Sequence, residues 1–120
     1  MSWTLDKSRP LGEQIAQELS VKIASGELRA GDRLYSVREV ALLAGVNPNT
    51  VQKTFEGMQE KGLIYSVRGS GWYVSDRTDV ARTAVTERRE ETTRRYFSDM
   101  ARLGLSEEET KQLVKEWKHE

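Results

Sequence analysis

The stretch Ser36–Lys61, SVREVALLAGVNPNTVQKTFEGMQEK, decides the fold. Its first part, about Val37 to Leu43, reads as a helix with Val40, Leu43 and Ala44 on one side. Gly45 follows, where the chain needs a left-handed or closely packed turn, and Val46 plugs that turn. Asn47 stands at a helix N-cap, because its side chain can accept from a free backbone N–H two or three residues on. Pro48 takes the first helical position, where its missing donor costs nothing and its fixed φ helps. The second helix runs to about Lys61, with Val51, Phe55 and Met58 as its inward stripe. Helix, short glycine turn, helix is the helix-turn-helix pattern.

The start of the second helix presents Asn47, Asn49, Thr50, Gln52 and Lys53. A helix entering the DNA major groove reads base edges with its N-terminal residues. Asn and Gln pair bidentately with adenine, Thr meets a base or a thymine methyl, and Lys suits guanine or phosphate. Taken alone, the same residues would equally serve a capped, solvated surface helix.

The flanks favour the DNA reading. On the N-terminal side, Met1 to Arg9 reads as an arm whose Trp3 and Leu5 pack onto the body or a partner. Pro10 opens a helix over about Leu11 to Ser25, where Leu11, Ile15, Leu19 and Ile23 recur every four residues beside Ala16 and Ala24. Gly26 fits the helix stop. Gly26 to Leu34 has two glycines and no period, so it is a structured loop anchored by Leu28 and Leu34. Ser36 with Glu39 three residues on is a capping-box pattern. On the C-terminal side, Gly62 ends the second helix. Leu63 to Val67 alternates apolar and polar and reads as a strand, Arg68-Gly69-Ser70-Gly71 as a turn, and Trp72 to Val74 as the returning strand. A hairpin directly after a helix-turn-helix is a wing. Arg68 at its tip suits a minor groove, whose negative potential attracts cations. By itself RGSG is an ordinary hairpin turn, and no helix follows to make it a phosphate loop.

Composition narrows the classes. The chain has 120 residues, one small domain or one plus an appendage. Lys+Arg and Asp+Glu both total 19, so the net charge is zero. Any DNA-facing surface must therefore come from arrangement, not from overall basicity. There is no Cys, hence no disulfide, thiolate metal site or thiol catalysis. His119 is the single histidine and sits near the chain end, so neither a metal site nor a cofactor is expected. No run approaches the ~18 apolar residues that would span a bilayer. The N-terminus has no basic-then-apolar signal pattern, and a cytoplasmic location is expected. No nucleophile–base set suggests an enzyme; Ser36 and Ser70 serve better as a cap and a turn residue.

Taken as an ordered set, Gly26, Leu28, Gly31, Asp32, Leu34, Ser36, Arg38, Ala41, Gly45, Val46, Asn47, Asn49, Thr50, Val51, Gly69, Gly71 and Val74 resemble the GntR family of bacterial winged-helix transcription regulators. The likeness covers about residues 8–76. It implies a winged helix-turn-helix domain in which Ser36 and Arg38 lie at the DNA-facing start of the first motif helix, and Arg38 reaches DNA. It also implies that Asn47, Asn49 and Thr50 form the polar face of the recognition helix, and that Gly69 and Gly71 shape the wing tip. Many members carry Arg where this chain has Pro48, and again where it has Gln52, so guanine reading does not carry over from them. The spelling V-N-P-N-T-V resembles the short YtrA-like branch, which has only a small helical tail.

The tail, residues 77–120, is expected to form two helices and a dimerisation unit. Thr78 to about Leu103 has no Pro or Gly. Within it Thr86–Arg95, TERREETTRR, has no apolar residue. It reads as a solvated helical face, or as a helix bridging two bodies through pairs such as Glu90–Arg94 and Glu91–Arg95. Apolar residues return at Tyr96, Phe97, Met100 and Leu103. Gly104 breaks the helix, and Ser106 with Glu109 is a second capping box. The helix after it shows Leu113, Val114 and Trp117. So few apolar residues in about 45 positions cannot close a core alone, and a second copy is the expected help. A small-molecule effector, if one acts, is expected at the dimer interface or between tail and wing. The fold expected is thus mainly α with a small β-hairpin. The function expected is a homodimeric regulator, a repressor by family likeness, on a twofold double-stranded DNA operator. The rival reading, prompted by zero net charge, is a winged helix used only to bind protein.

Overall fold

The computed structural model describes residues 3–118; His119 lies outside them. Seven elements follow in order: α1 (Leu11–Ala24), α2 (Val37–Ala44), α3 (Pro48–Glu60), β1 (Ile64–Val67), β2 (Gly71–Val74), α4 (Thr78–Arg102) and α5 (Glu107–Lys115). This is the mainly helical architecture with one hairpin that the sequence predicts. The chain divides into two compact units, Met1–Val85 and Thr86–Glu120.

In the first unit the cap signals fix the helices. The Ser36 hydroxyl accepts from the Glu39 N–H at 3.0 Å, and the Glu39 carboxylate accepts from the Ser36 N–H at 2.9 Å. Gly45 closes α2 in the left-handed region at φ 68° and ψ 40°, where a side chain would be strained. Asn47 Oδ1 then accepts from the Asn49 N–H at 2.8 Å, with Pro48 opening α3. One core collects Ile15, Leu19 and Ile23 of α1, Val40, Ala41 and Ala44 of α2, and Val51, Phe55 and Met58 of α3, together with Leu34, Leu63, Ile64, Val74 and Ala81. Trp3 and Leu5 of the arm pack against it. Trp3 meets Tyr35 edge-on at 6.2 Å, and its N–H donates to the Leu43 carbonyl.

Three details depart from the sequence reading. In α2 the third core residue is Ala41, not Leu43, which is half-buried. Two alanines thus share the inner face with Val40, and Leu42 is left 76% exposed. In the hairpin, Ile64 pairs with Val74, Tyr65 with Tyr73, Ser66 with Trp72 and Val67 with Gly71. Side chains alternate, so Ile64 and Val74 face the core while Tyr65 and Val67 are exposed. Leu63 precedes the strand and is buried outside this alternation. The third departure is the loop before α2. Gly31 N–H donates to the Val74 carbonyl, Val74 N–H to the Asp32 carbonyl, and Leu34 N–H to the Trp72 carbonyl, all at 2.8–2.9 Å. Arg33 is thereby bridged antiparallel to Tyr73. The loop is a rudimentary third strand on the outer edge of β2.

The helix α4 is continuous over Thr78–Arg102. Ala81 and Val85 near its start are buried, whereas Thr86–Arg95 is exposed apart from a half-buried Arg88. Of the two expected ion pairs Glu91–Arg95 forms, at 2.9 Å; Glu90 and Arg94 form none among the described residues. In the second unit Gly104 turns the chain at φ 95°, and the capping box at Ser106 starts α5. The Thr110 hydroxyl is buried and donates to the Ser106 carbonyl at 2.8 Å. Phe97 and Met100 are half-buried, while Tyr96, Leu103, Leu113 and Val114 are exposed. Trp117 is not within α5 as its spacing predicts. The cap at Glu116 directs its N–H to Gln112 and Val114, ending the helix before Trp117, which is 72% exposed.

Both capping-box carboxyls are held below the usual glutamate value. The backbone N–H of Ser36 is the larger cause for Glu39, followed by its side chain, and Ser106 does the same for Glu109. A folded-state value below the unfolded one gives stabilisation that is complete above the unfolded value near 4.5 and lost as pH falls through the folded value. Glu39→Gln and Glu109→Gln, which keep an acceptor, should therefore flatten the acid limb of stability against pH. Urea titrations between pH 6 and pH 3 check this; an unchanged limb in the double variant removes the boxes as its cause.

Candidate nucleic-acid interface

The residues singled out at the start of α3 divide by what their side chains touch. Val51, Phe55 and Met58 turn inward. Thr50, Lys53, Thr54, Gly57 and Lys61 line a shallow groove of about 380 Å³ shared with Gly12, Glu13 and Ala16 of α1. Thr50 is half-buried there. A side chain at Gly12 would come within 2.9 Å of the Thr54 hydroxyl, so glycine is what lets α1 and α3 close up. Lys53 is exposed at the groove's rim.

Asn49 and Gln52 remain, both exposed. Asn47 is exposed too, but its carbonyl oxygen is taken by the Asn49 N–H. One lone pair of that oxygen is thus committed to the cap, which fixes the side chain against the start of α3, while its amide hydrogens and second lone pair stay open. Gln52 Nε2 donates to Glu56 Oε2 at 3.1 Å. An amide nitrogen carries two hydrogens, so Gln52 keeps one donor and its carbonyl, the set that adenine N6 and N7 require. Glu56 thus orients Gln52. The sequence reading missed this partner, although the four-residue spacing on one helix face was there to be read.

Other elements place the remaining candidates. The Ser36 hydroxyl is occupied by its cap, while Arg38, two residues on, is exposed. The loop from Gly31 to Leu34 runs antiparallel to β2, from opposite Val74 to opposite Trp72. It therefore delivers the start of α2 to the end of the sheet that carries the Arg68–Gly71 turn. Phe55 of α3 meets Trp72 edge-on at 5.4 Å, which ties α3 to the same strand. At the turn Arg68 and Gly69 are exposed, and the half-buried Ser70 hydroxyl is hydrogen-bonded to the Tyr73 hydroxyl. On the outer face of the hairpin Tyr65 and Tyr73 stack with centroids 5.8 Å apart. Among the described residues no group of His, Cys, Asp and Glu could hold a metal ion, and no helix is long and apolar enough to cross a membrane.

Known proteins share this arrangement. The family described as bacterial regulatory proteins, gntR family, matches residues 11–74. The uncharacterized HTH-type transcriptional regulator YhcF of Bacillus subtilis is 32% identical over 108 residues, 90% of this chain and 89% of that protein. The HTH-type transcriptional repressor YtrA of the same organism is 39% identical over 80 residues, which cover 67% of this chain and 59% of the repressor. A solved GntR family transcriptional regulator from Listeria monocytogenes superposes with a TM-score of 0.79 at 32% identity, over 95% of this chain and all of that one (100%). The DNA-binding domain of AraR, crystallised with operator ORX1, superposes with a TM-score of 0.54 at 26% identity, over 62% of this chain and 92% of that one. The chain belongs to the GntR family of bacterial regulatory proteins, and is a DNA-binding transcription regulator, not an enzyme.

Proposed function

We propose that the chain acts as a homodimer on a twofold operator and represses transcription there. The observation that carries this reading is the start of α3, where Asn49 and Gln52 stand exposed with no part in the core. In this reading they read base edges in the major groove, Arg38 and Lys53 hold phosphates, and Arg68 on the wing enters the adjacent minor groove. Tyr96, Phe97, Met100, Leu103, Leu113, Val114 and Trp117 form the surface that pairs two copies. Half-sites then lie about one helical turn apart. Repression follows the likeness to YtrA, and the place of action is the cytoplasm, with the DNA.

The test is recovery of genomic fragments bound by the purified protein. A shared motif with twofold symmetry, bound with an affinity that falls steeply with salt, is the expected result. Fragments without a common motif overturn the reading. Side-chain roles separate on the recovered operator. Arg38→Ala should weaken binding to matched and unmatched DNA alike, because phosphate contacts carry no sequence information. Asn49→Ala or Gln52→Ala should relax preference by about 1–3 kcal/mol at one base pair per half-site. An unchanged preference profile in both variants removes α3 from base reading.

A further inference from the structure

Arg33 belongs to a loop that the helix-turn-helix reading leaves aside, yet its guanidinium lies at the wing turn. Its bridge to Tyr73 puts its side chain on the outer face of the hairpin, since directly opposed residues share a face. From there it reaches along the sheet to Gly71. A Cβ built on Gly71 would stand 3.4 Å from Arg33 Nη2, 3.5 Å from Nε and 3.8 Å from Cζ. Gly71 pairs with Val67, the residue immediately before Arg68. The turn therefore carries two guanidinium groups, one from its own tip and one laid across its base.

Arg33 is exposed, and among the described residues its side chain makes no ion pair or hydrogen bond. The carboxylates near it are tied to backbone: Asp32 accepts from the Arg29 N–H at 2.8 Å and Glu39 from the Ser36 N–H, and Glu39 lies close enough to feel the Arg33 charge without forming an ion pair with it. A guanidinium on a segment that its neighbours Gly31, Asp32 and Leu34 tie to β2, and that forms no ion pair, can meet an anionic partner from a fixed base. Gly71, at φ 122° and without a side chain, leaves the space it crosses open.

We propose that Arg33 acts with Arg68 as a paired minor-groove probe, so that the chain prefers operators whose wing-contacted flanks are A·T-rich. The inference rests on the wing placement given under the proposed function. A·T-rich tracts narrow the minor groove and deepen its negative potential, which attracts inserted arginines. Guanine adds an amino group to the groove floor that obstructs them. Specificity would then arise outside the bases that α3 reads.

The test uses the full chain and its recovered operator in three forms. The flanks are A·T, G·C, or inosine·C, which keeps the major-groove edge of G·C but lacks the minor-groove amino group. For the wild type, affinity should fall about tenfold on G·C flanks and recover on inosine·C flanks. Arg33→Ala should bring the A·T to G·C ratio most of the way to one, and Arg33→Lys should restore charge without restoring the ratio. Thermal melts confirm that the variants are folded. An Arg33→Ala ratio equal to the wild type's, with Arg68→Ala abolishing it, overturns the role of Arg33 and leaves the wing reading standing. A wild type without flank preference overturns the inference as well. Absence of any sequence-specific binding by the wild type overturns the proposed function itself.

Discussion

Phe55→Ala is expected to cost about 3–5 kcal/mol of folding free energy, the range for a large core aromatic cut back to a methyl. The side chain is fully buried on the inner stripe of α3. It packs edge-on against Trp72 at the start of β2, and such pairs contribute beyond the area they bury. Small domains hold about 5–15 kcal/mol in all, so the variant should lose much of its cooperative unfolding transition. DNA binding at 37 °C should go with it, because α3 is held to the wing through this contact. Phe55→Leu, which fills most of the space, should lose far less. Urea melts followed by circular dichroism measure both. A cost below about 1 kcal/mol for the alanine variant would mean that the Phe55–Trp72 contact does not hold α3 to β2.

Trp117→Ala is expected to have the largest effect on operator binding without touching the DNA-facing residues. Trp117 lies beyond the last turn of α5 with 72% of its surface open, beside Leu113 and Val114, which are also exposed. A buried tryptophan removes about 150–250 Å² from water, so the proposed pairing surface would lose much of its apolar area with that ring. Two linked half-site contacts strengthen each other by about 10²- to 10⁴-fold. A dimer weakened below working concentration should therefore lose at least about a hundredfold in affinity for the whole operator. Its affinity for an isolated half-site should not change. Sedimentation and titrations on both DNAs check this, and an unaltered dimer removes Trp117 from the interface.

Most of the winged helix was legible because its boundaries are written in local chemistry. Ser36 with Glu39, Gly45, and Asn47 with Pro48 each act within a turn of their own position, and the spacing of Ile15, Leu19 and Ile23 needs no knowledge of a partner. What was not legible depends on neighbours far along the chain. Ala41 rather than Leu43 completes the core face of α2 beside Val40 and Ala44, a choice the helical period alone leaves open. Thr50 turns toward α1 because Gly12 leaves room for it. The pairing of Arg33 with Tyr73 joins residues 40 positions apart through a loop with no alternation to announce it. Trp117 was placed on α5 by its spacing, which is blind to where the last backbone bonds of that helix close. At the candidate interface the residue types at Asn49 and Gln52 and the cap at Asn47 were readable; the bond from Gln52 to Glu56 depends on which rotamers the folded helix selects.

The backbone bonds that lash the Gly31–Leu34 segment to β2, with Phe55 set against Trp72, make the first unit a ruler. The start of α3, proposed to face the bases, and the tip of the hairpin are held at one fixed offset. One extra base pair between their targets would move the second by about 3.4 Å along the duplex and swing it by about a tenth of a turn. A frame this tightly laced has no slack to follow, so insertions inside a half-site should be punished far more than changes in the base pairs lying between.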